Sequence, residues 1–306
     1  MDRRVFLGSL ASIPFLPSAA HAWLAKAPAG SALHSRAITG ARRPVPVIGI
    51  GTSRRYNDPQ TDEQMAALSA SIARFVELGG QMIDTAPAYG RAEDVVGRLV
   101  EQLGVRDKLF LATKVGVDAR AEGIAQIEQS FKNLRTRHID LIAVHNLRNL
   151  TDQLAILREL KTAGRIGALG VTTSSDTQYA DLETAMRREP MDVIQIDYAL
   201  DNRGAADRIL PLAQEKGMAV MINLPFGRGR LFQATEGRPL PDWAKEIGAT
   251  TWAQVFLKYI VSHPSRPIAI PGMAQARYVD DNLGAARGPL PDEAMRRRME
   301  QYIGTL

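Results

Sequence analysis

Two kinds of hydrophobic pattern alternate along the chain. Short apolar runs are separated by longer segments whose apolar residues recur every three or four positions, as in 62–78, 122–134 and 205–216. A short apolar run predicts a strand, and the three-to-four spacing predicts an amphipathic helix. The predicted strands are VPVIGIG (45–51), QMID (81–84), KLFLAT (108–113), IDLIAVH (139–145), IGALGV (166–171), DVIQID (192–197), MAVMIN (218–223) and RPIAIP (266–271).

The alternation of strands with helices predicts the fold class. Strands separated by helices pair in parallel, and apolar runs without clean alternation indicate a sheet buried on both faces. Eight such strands in one chain favour an α/β fold of the closed (β/α)8 type, the TIM barrel, over an open doubly wound sheet. Segment 36–46 is predicted to form a hairpin that plugs the N-terminal end of this barrel. Because loops at the C-terminal strand ends build the active site in such barrels, function is expected there.

Composition narrows the functional classes. A chain of 306 residues with 45% hydrophobic residues can bury one large core, and the lack of cysteine excludes disulfides and thiol catalysis. The net charge is +5, but the densest basic run, Arg296–Arg298, lies beside glutamates in a segment with helical spacing. Since nucleic-acid binding depends on clustered Lys and Arg, no nucleic-acid partner is expected.

The N-terminus has the pattern of an export signal. Residues 1–23 read MDRRVFLGSLASIPFLPSAAHAW, in which an apolar stretch follows paired arginines and leads to Ala20-His21-Ala22. The apolar stretch is too short and too interrupted by proline to span a bilayer. The pair Arg3-Arg4 and the residues after it resemble the twin-arginine signal, which exports proteins already folded. A plain N-terminal helix or an uncleaved anchor is the alternative interpretation.

This pattern divides the chain into three predicted parts, a signal peptide at 1–22, a linker at 23–35 and a barrel domain at 36–306. It predicts the twin-arginine export machinery as a partner and a periplasmic location. After cleavage the mature chain is expected to have no stable membrane insertion.

Four polar residues stand at or just beyond predicted strand ends, namely Asp84, Tyr89, Lys114 and His145. On a barrel rim these side chains are expected to converge. A lysine cation close to a phenol favours the ionised phenol and lowers its pKa, so Tyr89 is expected to protonate a carbonyl oxygen. Asp84 is expected to neutralise Lys114, and His145 to donate a hydrogen bond to the same carbonyl. No metal is needed for this chemistry.

Several motifs together resemble the aldo-keto reductase family, in register from about residue 48 to 282. They are IDTAPAYGRAEDVVG (83–97), the LATK that ends at Lys114, the DLIAVH that ends at His145, GALGV (167–171), QIDY (195–198), and IPG with Asp281-Asn282. The resemblance implies an NAD(P)H-dependent oxidoreductase that reduces a small aldehyde or ketone to an alcohol, or the reverse, by hydride transfer. It maps the family's catalytic tetrad onto Asp84, Tyr89, Lys114 and His145, with the tyrosine as general acid and base.

Two other classes of protein stay open at this point. One is a redox-silent exported barrel that binds a small carbonyl or sugar ligand. The other is a barrel lyase or isomerase for a phosphorylated substrate, which would explain Arg228 and Arg230 but would not require the pair of Tyr89 and Lys114.

The resemblance also implies contacts to the nicotinamide end of a dinucleotide. Thr52 and Gln195 match positions beside the nicotinamide, and Thr172-Thr173 stands where the family usually has Ser-Asn. Asn223 stands where an aromatic residue usually stacks on the nicotinamide.

The remaining implied contacts involve the phosphates. Loop LPFGRGRL (224–231) suits a pyrophosphate, because glycines free its backbone and arginines bring charge-assisted hydrogen bonds. NADP(H) is the usual cofactor of the family, while Tyr278, at a position where an arginine usually grips the 2′-phosphate, leaves NAD(H) open. The expected cofactor contacts are Thr52, Thr172, Thr173, Gln195, Asn223, Leu224, Phe226, Arg228, Arg230, Gly272, Arg277 and Asn282.

Overall fold

The structure is a computed structural model, and it describes residues 31–306. The signal peptide predicted at 1–22 and most of the predicted linker lie outside these residues. The predicted boundary between linker and barrel falls inside a two-residue strand, Ser35–Arg36. Among the helices of residues 31–306, none has the length and hydropathy of a membrane span.

Eight parallel strands pair in chain order. The isolated backbone pairings of Ile48 with Ala269 and of Gly51 with Gly272 join the first strand region to the last. The predicted (β/α)8 barrel is therefore confirmed, and all eight predicted strands are present. They are β3 (Ile50–Gly51), β4 (Met82–Asp84), β5 (Phe110–Val115), β6 (Ile139–His145), β7 (Ile166–Thr172), β8 (Val193–Asp197), β9 (Ala219–Asn223) and β10 (Ile268–Ala269).

Ten α-helices surround the barrel in the described part of the chain. Side-chain caps fix three of their starts, because Thr61, Thr251 and Asp292 each accept a hydrogen bond from a backbone N–H of the first turn. The helix predicted at 205–216 begins only at Ile209, after a short 3-10 turn. The helices are α1 (Asp62–Glu77), α2 (Ala92–Leu103), α3 (Arg120–Asn133), α4 (Leu150–Thr162), α5 (Tyr179–Arg188), α6 (Ile209–Glu215), α7 (Arg230–Ala234), α8 (Trp252–Val261), α9 (Ala276–Gly284) and α10 (Glu293–Ile303).

The predicted hairpin closes the N-terminal end of the barrel. Its strands β1 (Ser35–Arg36) and β2 (Val45–Pro46) pair antiparallel, and Ile38 and Val45 pack against apolar side chains of the barrel interior. Those interior side chains are Met82, Phe110, Ala112, Leu141, Ala168, Val193, Met221, Ile268 and Ile270.

The alternation of side chains along each strand then places polar groups at the opposite end of the interior. Inward-facing residues recur every second position, so an apolar residue low in the barrel is followed on the same face by one nearer the C-terminal strand end. On six strands that later residue is polar. We call this set the polar layer: Asp84, Lys114, His145, Thr172, Gln195 and Asn223.

The packing of the hairpin against the barrel requires a glycine at position 40. Gly40 has φ +79°, and a Cβ there would lie 2.0 Å from the carbonyl oxygen of Gly167. Gly104 has φ +63° but open space around it. We expect Gly104→Ala to lower the free energy of unfolding by about 1 kcal/mol through backbone strain alone. Gly40→Ala is expected to cost about 1–3 kcal/mol more because it overpacks the hairpin.

Urea unfolding followed by circular dichroism measures both variants. Equal losses in the two variants would contradict the close packing of the hairpin against the strand that contains Gly167.

Candidate active site

A buried ion pair joins the ends of β4 and β5. The Lys114 Nζ donates to both carboxylate oxygens of Asp84, at 2.8 and 2.9 Å, and to the carbonyl oxygen of Thr85 at 2.8 Å. The side chains of Lys114 and Asp84 are 2% and 6% exposed. All three donors of the ammonium have acceptors, which is the condition under which a buried charge is tolerated.

Two further residues hold Asp84 in place, one through its carboxylate and one through its backbone oxygen. Gln195 on β8 reaches across the barrel, and its Nε2 donates to Asp84 Oδ1 at 3.1 Å. Thr52 donates through its hydroxyl to the backbone oxygen of Asp84 at 2.9 Å. Both residues were expected beside a nicotinamide, and in the structure both support the acid of the ion pair. Burial lowers the pKa of Lys114, but Asp84 and Tyr89 raise it more, so the pKa lies above its ordinary value.

Tyr89 and His145 complete the set at the same end of the barrel. The Lys114 Nζ lies 5.1 Å from the centre of the Tyr89 ring, and the Tyr89 and His145 rings meet edge to face with centroids 6.1 Å apart. A turn presents Tyr89, since its N–H donates to the carbonyl oxygen of Ala86. Gly90 follows with φ +56°, and a Cβ there would lie 2.9 Å from the oxygen of Asn57. The structure thus brings together all four residues singled out in the sequence.

The electrostatics of Tyr89 differ from expectation. The Lys114 charge lowers the pKa of the phenol, as predicted, but burial and the negative charge of Asp84 together raise it. The net pKa of Tyr89 lies above its ordinary value, so the predicted lowering is wrong for the protein without ligands. Burial is the larger of the two raising effects, and the pattern of residues does not show how deeply the ring is buried.

His145 is neutral near pH 7. Burial, helped by the charge of Lys114, lowers the pKa of His145 to about 4. A neutral imidazole carries one N–H donor and one acceptor, and it adds no positive charge to the polar layer.

Three of the inner cofactor candidates lie at the ends of β7 and β9, on either side of β8. Thr172 ends β7, and Thr173 after it donates through its hydroxyl to Gln178 Oε1 at 2.5 Å. Asn223 ends β9, and its Nδ2 donates to the carbonyl oxygen of Thr173 at 3.3 Å. The other amide atom of Asn223, Oδ1, is buried and has no hydrogen-bond partner.

The glycine-rich loop after β9 has an unusual backbone. Leu224, Gly227, Arg228 and Gly229 all have positive φ, at 51°, 56°, 57° and 97°. For leucine and arginine this conformation carries strain, of a kind that is concentrated at functional sites. Phe226 in the same loop packs against Phe232 at 4.8 Å between ring centres.

The two arginines of this loop differ from each other. Arg230 pairs with Asp201, with its Nε 2.9 Å from Oδ2, while Arg228 is exposed and makes no ion pair among the described residues. Asp201 also lies against Gly227, where a Cβ would be 2.4 Å from both carboxylate oxygens. Asp201 is thus a residue that the sequence analysis missed, although it lies in the loop after the end of β8.

The outer cofactor candidates follow β10. The space that a side chain would occupy at Gly272 is open. A Cβ there would meet one atom within 4 Å, the Gly51 oxygen at 3.9 Å. Arg277 stacks on the ring of Tyr278, with its Cζ 4.9 Å from the ring centre, and both are exposed. Asn282 is buried in α9.

A surface groove of about 860 Å³ lies at the other end of the barrel, beside the starts of β8 and β9. Its side chains Arg158 and Lys161 pair with Glu189 and Asp192, at 2.5 and 2.7 Å. These cations lie in the C-terminal half of α4, where the helix dipole favours positive charge. The groove therefore has a structural explanation and contains none of the tetrad.

Comparison with known proteins identifies the family. Residues 47–302 match the aldo/keto reductase family. The chain belongs to this family. Methylglyoxal reductase YeaE of Escherichia coli is 31% identical to this aldo/keto reductase over 78% of the chain and 84% of its own length. Aldo-keto reductase YhdN of Bacillus subtilis is 32% identical, but that match covers 56% of the chain and about half, 55%, of YhdN.

Solved structures agree with this assignment. An aldo/keto reductase from Klebsiella pneumoniae in complex with NADP and acetate has a TM-score of 0.75 and 25% identity, over 89% of the present reductase and 96% of its own chain. A second structure from that organism, in complex with NADPH, has a TM-score of 0.76 and 26% identity, over 89% and 95%. The fold and the enzyme class of this chain thus agree with those of the two solved structures.

The histidine environments predict how the stability of this reductase depends on pH. Burial lowers the pKa of His263, as of His145, to about 4, whereas both bind protons near pH 6.5 in an unfolded chain. The unfolded state then holds more protons, so the free energy of unfolding falls as the pH drops from about 6.5 to about 4. We expect each histidine to contribute roughly 1–2 kcal/mol, since both rings keep some solvent contact.

Urea midpoints measured between pH 4 and pH 7 check this, and His145→Asn and His263→Asn should each flatten the curve. A wild-type slope in both variants would show that other groups cause the loss.

Proposed function

We propose that this reductase converts an aldehyde or ketone to an alcohol with hydride from NADP(H), and that Tyr89 is the general acid. In the reverse direction Tyr89 is the general base. One observation carries the proposal, namely that the phenol lies 5.1 Å, ring centre to Nζ, from a buried ammonium that Asp84 holds in place.

The proton chemistry follows from that geometry. Since the pKa of Tyr89 is above its ordinary value, the phenol keeps its proton until it is needed. The alkoxide that forms from a carbonyl is a stronger base than a phenolate, so the transfer from the Tyr89 oxygen runs downhill. The charge of Lys114 then stabilises the phenolate that remains, in a site where burial strengthens the interaction.

His145 has a different part in this proposal. Its pKa of about 4 makes it a neutral donor, so it can give a hydrogen bond to the carbonyl oxygen without competing for the proton. Such a bond orients the carbonyl and shares the negative charge that develops on its oxygen. Tyr89 and His145 would therefore approach the same oxygen from two sides of the rim.

The residues present fit a dinucleotide. Asn223 offers an unpaired acceptor, Gly272 leaves room on the inward face of the barrel, and Arg228 brings a charge without an ion pair among the described residues. The dinucleotide would supply the hydride when bound. Thr52, Thr172, Thr173 and Gln195 would lie at its nicotinamide end, Leu224, Phe226, Arg228 and Arg230 at its pyrophosphate, and Gly272, Arg277 and Asn282 at its adenosine end.

NADP(H) is the proposed cofactor. The Klebsiella pneumoniae structures in complex with NADP and NADPH support it. NAD(H) remains the competing cofactor, because Tyr278 occupies a position where an arginine was expected and Arg277 lies against its ring. Binding of Arg230 to the pyrophosphate would require it to leave or share Asp201.

A redox-silent ligand-binding barrel is the weaker proposal. The intact ion pair and the adjacent phenol would have no purpose in simple ligand binding, and burying them costs stability. The name of the Escherichia coli relative suggests methylglyoxal as a first test substrate.

Replacement of Tyr89 by phenylalanine tests the proposed acid. We expect Tyr89→Phe to lower kcat for methylglyoxal reduction by at least about 100-fold, the usual contribution of general acid catalysis. Binding of NADPH, followed by fluorescence titration, should stay within about twofold, because the ring remains. Parallel titration with NADH decides between the two cofactors.

Tyr302→Phe on α10 is the matched control, since it removes the same hydroxyl far along the chain from the tetrad. Turnover by Tyr89→Phe at the rate of this control would exclude Tyr89 as the acid. Binding of neither dinucleotide by the wild type would overturn the proposed function itself.

We also propose that the protein is exported through the twin-arginine route and resides in the periplasm with its dinucleotide already bound. The motif around Arg3-Arg4 supports export, and a folded passenger can carry a cofactor that is not expected to be free in the periplasm. In this proposal, residues 1–22 are removed and the mature chain is not inserted into the membrane.

The test compares the wild type with a variant in which Arg3 and Arg4 are both lysine. Periplasmic extract of the wild type is expected to yield a shortened protein that shows the absorbance of reduced nicotinamide or releases NADP on denaturation. The variant should stay in the cytoplasm. An empty site in every periplasmic preparation would exclude preloading, and equal export of the variant would exclude this route.

A further inference from the structure

Asn223 has an unmet hydrogen-bonding capacity inside the polar layer. Within residues 31–306, five buried side-chain atoms lack a hydrogen-bond partner, and of these the Oδ1 of Asn223 is the one that belongs to that layer. Buried acceptors are nearly always paired, so an unpaired one at the C-terminal end of a barrel indicates a group that binds there.

The orientation of this amide is fixed by its other atom. Nδ2 donates to the carbonyl oxygen of Thr173 at 3.3 Å. A flipped amide would place its oxygen against that carbonyl, two acceptors without a proton between them. Oδ1 is therefore the atom that remains for a ligand.

Space for a flat group lies next to Asn223. The following strand contributes Gly272 at this level, and a Cβ added there would meet only the Gly51 oxygen, at 3.9 Å. Gly51, which pairs with Gly272, leaves no such space, since a Cβ there would lie 2.6 Å from the Ile270 oxygen. On the other side of Asn223, Gln195 is tied to Asp84. The open space after β10 is therefore at Gly272 and not at Gly51.

We propose that Asn223 lies against the nicotinamide ring in this gap, and that its amide oxygen binds the oxidised ring more tightly than the reduced ring. The inference rests on the proposed function. The oxidised ring carries a positive charge and the reduced ring is neutral, so the negative end of a partly buried amide dipole distinguishes them. Asn223 then makes the bound reduced cofactor a stronger hydride donor, because it stabilises what the donor becomes.

A neutral role for the same atom makes a different prediction. A hydrogen bond from Oδ1 to a carboxamide N–H, or simple packing, would affect the two redox forms alike. The ratio of their dissociation constants therefore separates an electrostatic role from a structural one.

The test uses replacements of nearly equal shape, Asn223→Leu and Asn223→Asp. Titration with NADPH and NADP+ at pH 8.5, where a buried carboxyl is more fully ionised, gives Kd(NADPH)/Kd(NADP+) for each protein. We expect this ratio to fall at least about threefold in the leucine variant and to rise at least about threefold in the aspartate variant. Arg228→Met is the control, since both redox forms carry the same phosphates and the ratio should not change.

The outcomes are distinct. A ratio that is the same in wild type and either folded variant overturns the role of Asn223 while leaving the reductase function intact. Failure of the wild type to bind either dinucleotide overturns both. Loss of the Thr173 contact alone would weaken both forms by one factor and leave the ratio unchanged, so it would also count against the proposal.

Discussion

The Lys114–Asp84 ion pair is the interaction on which the site depends. An ammonium inside a barrel is costly unless its charge and all of its protons are matched, and here two carboxylate oxygens and one backbone carbonyl match them. Gln195 on β8 and Thr52, directly after β3, then hold Asp84. Tyr89 lies beside this held charge, 5.1 Å from ring centre to Nζ, and the proposed catalysis uses that preorganisation.

The pair is also a compromise between two states of Tyr89. Because burial and the charge of Asp84 together outweigh the charge of Lys114, the pKa of the resting phenol lies above its ordinary value. In the proposed mechanism, the phenol therefore keeps its proton until an alkoxide, which is a stronger base, takes it.

Much of this could be predicted from the sequence, for reasons that are specific to particular residues. Lys114 and His145 break apolar strands at their ends, and period-two alternation places them in the interior with Asp84. The hairpin was recognisable because 36–46 precedes the first strand of a barrel. The pKa of Tyr89 was not, since its direction depends on burial and on the distance to Asp84. The partner of Arg230 was missed because Asp201 lies 29 residues away in the chain, on another loop. The acceptor from Thr85 is a backbone atom, for which no residue type is a signal.

The hairpin has a consequence for the order of events during turnover. Because Ile38 and Val45 fill the N-terminal end of the barrel, its interior opens at the C-terminal strand ends. When two ligands enter through the same opening, the one that binds deeper has to bind first and leave last.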